Sequence, residues 1–168
     1  MGSEMCIRDR IYSLRHRFCD DRSLVELLDD FQERRLFKRC YMISRRIGED
    51  EAQRVVRRYH LNENGARDEA EGRIAEALGV PVHHVALYCA PPGMALKEAD
   101  VPVTMPGGKM DNLSAFNSEE IRVLKDQHRA LWRLYVFVSP RVKVGLGAAG
   151  RAGEDVIGYP NELPAQRR

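Results

Sequence analysis

Three patterns in the chain have the residue types of a reactive or binding site. Gly145-Leu146-Gly147-Ala148-Ala149-Gly150 has the spacing of a dinucleotide-binding turn. In such a turn the glycines let the backbone approach a pyrophosphate at a helix N-terminus. That chemistry also needs a preceding strand and, about twenty residues on, an acid on a second strand. Too few residues follow Gly150 for this, and they include Pro160 and Pro164, so the pattern is set aside. His83 and His84 are adjacent. If 82–89 is a strand, neighbours point to opposite faces and cannot share one metal ion. His60 and His128 stand alone, no His-x-x-x-His pair occurs, and no metal site is expected in this chain. The third pattern is basic: Arg34, Arg35, Lys38, Arg39, Arg45, Arg46, Arg54, Arg57 and Arg58, opposed only by Glu49, Asp50 and Glu51. Such a run is either an anion-facing surface or a solvated face.

Other reactive combinations are missing from the sequence. Cys6, Cys19, Cys40 and Cys89 are far apart with no Cys-x-x-Cys pair, which indicates neither a disulfide framework nor a zinc knuckle. A reduced, cytoplasmic setting is the expectation. No Ser, His and Asp arrangement is recognisable, although a triad is spatial. Glu49, Asp50, Glu51, Glu119 and Glu120 fall in first turns of expected helices, where the helix dipole favours their charge. No catalytic residue is assigned. Trp132 and Tyr135 should face opposite sides of a strand, and aromatics are only 7% of the chain, so a base-stacking surface is not expected.

The elements that must position these residues follow from periodicity. Ser23 and Glu26 have capping-box spacing, and Leu24, Leu27, Leu28, Phe31 and Leu36 recur at helical intervals, which predicts a helix over 23–35. Residues 36–43 are rich in strand formers. A second helix is expected over 49–60 on Ala52, Val55, Val56 and Tyr59. A third is expected over 66–78, with Ala70, Ile74, Ala77 and Leu78 inward and Gly79 and Pro81 stopping it. The period then changes. Residues 82–89 and 101–105 read as strands, Pro102 marks an edge, and Lys109-Met110 starts a hairpin return. Asn117 and Glu120 should cap a helix whose inward residues are Ile121, Leu124, His128 and Leu131. The strand 132–138 turns Trp132, Leu134, Val136 and Val138 to one side. Residues 142–152 contain three glycines, so a helix there is expected to be marginal, and 160–168 is expected to be disordered.

This order predicts an α+β fold: N-terminal helices, then a small, mainly antiparallel sheet with a covering helix. A composition of 31% charged and 43% hydrophobic residues suits one soluble domain with a sizeable core, and no apolar run is long enough to span a membrane. The net charge of +2 excludes little.

Phe31 to Arg39, Val82 to Cys89 and Glu120 to Val138, taken together, resemble HD-domain phosphohydrolases of the dNTP triphosphohydrolase type. Phe31-Gln32-Glu33-Arg34-Arg35-Leu36-Phe37-Lys38-Arg39 is similar to a helix-to-strand junction of that family. Val82-His83-His84-Val85-Ala86-Leu87-Tyr88-Cys89 is similar to a sheet strand of its C-terminal lobe, and 120–138 to the lobe's closing helix and strand. The resemblance runs in order from Leu14 to Val138. It implies a parent enzyme whose HD domain holds a divalent metal through a His, a His-Asp dipeptide and a distal Asp, and uses it to activate a hydroxide against a phosphate. No His-Asp dipeptide occurs in this sequence, so no metal ligand carries over. The resemblance further implies that basic residues of the lobe hold regulatory nucleotides between subunits. The matching candidates are Arg35, Lys38 and Arg39, then Lys97 and Lys109, whose cationic groups suit phosphate oxygens.

The first ten residues, Met-Gly-Ser-Glu-Met-Cys-Ile-Arg-Asp-Arg, resemble translated adapter sequence from library preparation, and belong outside fold reasoning on that reading. The expectation is therefore a C-terminal fragment: 1–10 an artefact, 11–140 the α+β lobe, 141–168 a weakly structured segment and tail. Its partners would be the HD domain of the same protein, further copies of the chain in a homo-oligomer, and a nucleotide. No membrane partner is expected. The competing reading is a stand-alone α+β module that binds a protein partner or RNA through the basic 34–58 surface, which would make binding sensitive to salt. A third is an independent enzyme with a site not visible in the sequence.

Overall fold

The computed structural model describes residues 7–91, 102–104, 108, 110–112 and 119–163. Two helices come first, α1 (Ile7–Arg17) and α2 (Arg22–Gln32). Asp21, not Ser23, caps α2: its carboxylate accepts from the Leu24 amide at 3.0 Å. This satisfies one of the amides that a helix start leaves open. Glu26 is thereby free of any capping duty. The helix ends earlier than its periodicity predicts, because Arg34 takes a left-handed backbone (φ 55°) and turns the chain toward the sheet.

Strand β1 (Lys38–Ser44) follows. The chain then runs through a single 3₁₀ turn into helix α3 (Glu49–Val55), which continues as a π-helical turn over Val56–His60. The expected stripe holds: Ala52, Val55, Val56 and Tyr59 are all buried. Helix α4 (Ala66–Leu78) buries Ala70, Ile74 and Ala75, while Ala77, expected inside, is exposed. Gly79 ends it at φ 65°, a left-handed cap that glycine adopts without a Cβ penalty.

Residues 82–84 form a 3₁₀ turn rather than the start of a strand, and β2 begins only at Val85 (Val85–Cys89). The short strands β3 (Pro102–Thr104) and β4 (Met110–Asn112) pair as the expected antiparallel hairpin. Helix α5 (Glu119–Ala130) leads into β5 (Arg133–Val138). Leu131, expected to face inward, is 61% exposed, because the chain turns between α5 and β5 at this residue. Asn117, Lys97 and Lys109 lie outside the described residues, as do the side chains of Ile121, Leu124 and His128.

The main sheet has the order β1–β5–β2, antiparallel throughout. Leu134 of the central strand sits between Ile43 and Cys89, and Val136 between Tyr41 and Leu87. These side chains share one face and are buried, as strand alternation requires. A bulge between Arg39 and Tyr41 lets Cys40 and Tyr41 both be buried. Trp132 is buried beside them, and its indole N–H donates to the Ala90 carbonyl at 2.9 Å.

Helix α6 (Leu146–Ile157) is the largest departure from expectation. Instead of a marginal segment it is a twelve-residue helix that packs on β1 and α4. Each glycine in a helix costs about 1 kcal/mol relative to alanine. Here two of them permit contact that no other residue would. A Cβ on Gly150 would stand 2.7 Å from the Cys40 carbonyl oxygen and 2.8 Å from Asn161 Nδ2, and one on Gly153 would stand 3.0 Å from the Tyr41 ring. Ala149, Gly150, Ala152 and Gly153 are therefore a smooth strip that brings helix and sheet together.

The described part of the tail is also held. The Glu162 amide donates to the Met42 carbonyl (2.8 Å), and Asn161 Oδ1 accepts from the Met42 amide (3.1 Å). The Glu162 carboxylate accepts from both the amide and the hydroxyl of Ser44, at 2.9 and 2.7 Å. The fold is α+β, with α4, α6 and the π-helical turn after α3 packed on the sheet.

Candidate anion cleft and histidine cluster

Two arrangements gather functional side chains. The first is a cleft of about 810 Å³ where β1, the end of β5 and the start of α6 meet. Lys38 enters it from β1, Lys143 from the loop after β5, and Arg151 from α6, while Arg39 borders it where β1 begins. Among the described residues none of these cations has a carboxylate partner, and the Arg39 guanidinium lies on the sheet's outer side over the Tyr135 ring, 5.6 Å from its centroid. The first turn of α6, Gly145 to Ala148, forms the opposite wall with no side-chain cap on its amides. The Arg151 guanidinium stands 4.0 Å from where a Gly147 Cβ would be. Lys38, Lys143 and Arg151 with an uncapped helix start make this cleft electropositive, a setting that suits phosphate oxygens.

The glycine pattern set aside in the sequence thus lies on this wall, although not in a nucleotide-binding βαβ unit. Gly147 opens the helix start, whereas Gly150 serves the close approach to β1. Of the residues expected to meet phosphate, Lys38 and Arg39 line this cleft. Sequence reasoning missed Lys143 and Arg151, which no spacing ties to β1. It also named Arg35, which the structure places elsewhere: Arg35 Nε donates to Asp30 at 2.7 Å, and its Nη1 pairs with Glu33. The 34–58 basic run is likewise divided, since Arg45 pairs with Glu49 and Arg54 with Glu51.

The second arrangement ties α2 to the body of the fold. Because 82–84 is a 3₁₀ turn, His83 and His84 do not point apart. Their rings meet edge to face with centroids 4.4 Å apart, and both Nε2 atoms reach the same oxygen of Glu26, Oε2, at 3.1 and 3.2 Å. Arg141 approaches the other oxygen at 3.8 Å. One turn along α2, Asp30 is buried and held by Arg141 and Arg35 at 2.8 and 2.7 Å. The imidazole hydrogen bonds hold the Glu26 carboxyl below its ordinary pKa, and the Arg141 bond does the same for Asp30.

Other titratable groups are structural. Burial pushes the Cys40 and Cys89 thiols up to about 12, so neither is a nucleophile near neutral pH. Burial also raises Glu71, whose carboxylate accepts from the Leu87 amide at 2.7 Å. His60 bonds the Cys89 carbonyl at 3.0 Å. Tyr135 and Phe137 are half-buried on the sheet's outer side, with ring centroids 5.7 Å apart, and Tyr88 opposite Tyr135 is exposed. That side is more aromatic than Tyr135 alone suggests.

Apolar surface is concentrated on the N-terminal helices and the turn after them: Tyr12, Leu14, Phe18, Phe31 and Leu36 are between 42% and 62% exposed. Among the described residues no helix is long and apolar enough to cross a membrane. Residues 8–161 match the model of a family described as the HD associated region. No curated protein and no solved structure matches the chain.

Proposed function

For a chain that belongs to the HD associated region family, we propose the role of an accessory lobe to an HD-domain phosphohydrolase of the dNTP triphosphohydrolase type. The match over 8–161 supports the tie to an HD-domain protein, and the resemblance of 31–39, 82–89 and 120–138 supports the phosphohydrolase type. On it, a divalent metal and the bond-breaking chemistry belong to the HD domain of the same protein. The lobe contributes two surfaces. The exposed apolar side chains of α1, α2 and the following turn offer the HD domain a docking face, since several large apolar side chains left exposed on neighbouring elements suit a protein contact. The cleft of Lys38, Lys143 and Arg151 offers a nucleotide's phosphates a binding site that can regulate the enzyme or join its subunits.

The division of labour is testable on the chain by itself. The protein should turn over no dGTP with manganese or magnesium present, and release of product above a buffer blank contradicts the accessory role. It should bind dGTP or tripolyphosphate by calorimetry, more weakly as salt rises. Lys38→Ala with Arg151→Ala should weaken that binding at least tenfold, because each charge-assisted hydrogen bond contributes about 1.5–3 kcal/mol. Arg35→Ala should leave it unchanged. Absence of binding, or binding indifferent to the double substitution, removes the nucleotide reading. The alternative of RNA recognition by the whole 34–58 surface is less supported, because Arg35, Arg45 and Arg54 are engaged by neighbouring acids.

A further inference from the structure

We propose that Glu26, His83 and His84 form a binding site for one zinc-like divalent cation that fastens α2 to the sheet. The donors come from two parts of the fold, Glu26 from α2 and the histidines from the turn that leads into β2. Their ligand atoms all lie within 4.8 Å of one another, and both histidine-to-glutamate separations are 3.1–3.2 Å. A tetrahedral zinc ion with donors at about 2.0–2.1 Å spaces them about 3.3 Å apart. Both histidine-to-glutamate spacings are therefore already close to those around such an ion, and the two imidazole nitrogens lie within 4.8 Å of each other. Two imidazoles and one carboxylate suit a cation of borderline softness better than calcium or magnesium, which favour all-oxygen sites.

The surroundings fit as well. The side chains are 42%, 21% and 13% exposed for Glu26, His83 and His84, so an ion can enter and keep water in a fourth position. Arg141 lies by Oε1 and leaves Oε2 to the imidazoles, and Asp30 holds Arg141 in turn, an outer shell that orients the carboxylate. Binding requires each imidazole to carry its proton on Nδ1 and present the Nε2 lone pair. This site is separate from the anion cleft and depends on neither the nucleotide reading nor the HD-domain partner.

Zinc chloride titrated into chelator-treated full chain tests it. The expected result is one equivalent bound by calorimetry, with the unfolding midpoint raised by about 5 °C or more at a hundredfold excess over Kd. Glu26→Gln, His83→Gln and His84→Gln should each weaken binding at least tenfold, while His16→Gln, at an exposed position outside the cluster, should not. Where a histidine variant fails to fold by circular dichroism, Glu26→Gln decides, since its amide keeps the size of the side chain and can still accept from the imidazoles. No bound zinc, or an affinity unchanged by Glu26→Gln, overturns the proposal.

Discussion

The seam between β1 and α6 and the seam between α2 and the rest of the chain are built on opposite principles. The first is dry and close. Gly150 and Gly153 remove every atom that would keep helix and strand apart, and Tyr41, Ile43 and Ala149 are wholly buried beside them. The second is ionic and half-wet: Glu26 meets two histidines, and Asp30 meets two arginines. Dispersion and apolar burial act only at contact and tolerate little change in volume. Ion pairs tolerate displacement, weaken in salt and respond to pH. The body of the fold should thus unfold as one unit, while α2 can loosen separately.

The largest effect that sharpens this contrast should come from the centre of the sheet. Leu134→Ala removes a fully buried side chain between Ile43 and Cys89 and should cost about 3–4 kcal/mol, lowering the unfolding midpoint by about 10 °C. Gly150→Ala should follow at about 2–3 kcal/mol, since the added methyl strikes a backbone carbonyl that cannot move without shifting β1. A neutral Gly150→Ala would show the seam to be looser than its distances imply.

The ionic seam should respond less and locally. Asp30→Asn should cost about 1 kcal/mol, discounted because the partner arginines are 33% and 40% exposed. It should speed amide exchange in α2 and leave β5 unaffected. Equal acceleration in both would merge the two regions. The pH dependence follows the sign of the Asp30 shift. Its folded pKa lies below 3.8, so its stabilisation is complete above that value and is lost as pH falls through the lower folded one. Protection of the α2 amides, relative to their intrinsic exchange rate at each pH, should therefore hold at pH 5 and fall below pH 4, before the sheet unfolds. The smallest effect has the opposite sign. Gly72→Ala in α4 meets no atom within 4 Å and should raise stability by about 0.5–1 kcal/mol.

Legibility in the sequence divides along the same line. The apolar stripe of α3 and the alternation of β5 were readable because burial on one face imposes a period, and Ala52, Val55, Leu134 and Val136 obey it. Helix α6 was not readable, because its packing uses the absence of side chains, and glycine on propensity alone argues against a helix. The repeated small pairs Ala149-Gly150 and Ala152-Gly153 were the available signal. The histidine cluster was hidden by one local decision, a 3₁₀ turn in place of an extended start to β2. Adjacent residues on a strand diverge, and adjacent residues on a tight turn need not. Lys143 and Arg151 joined Lys38 only through long-range folding, which periodicity does not encode.

The hold of Asn161 and Glu162 on Met42 and Ser44 has a consequence for self-association. In the order β1–β5–β2, β1 is an outer strand, and an outer strand with free amides and carbonyls recruits strands from other molecules. The tail takes up the Met42 and Ser44 groups with one backbone contact and two short side chains, without adding a strand of its own. A protease cut after Gly158 that releases the tail would leave that rim open, and the clipped protein should pair rim to rim with a second copy, a dimer that the intact chain resists.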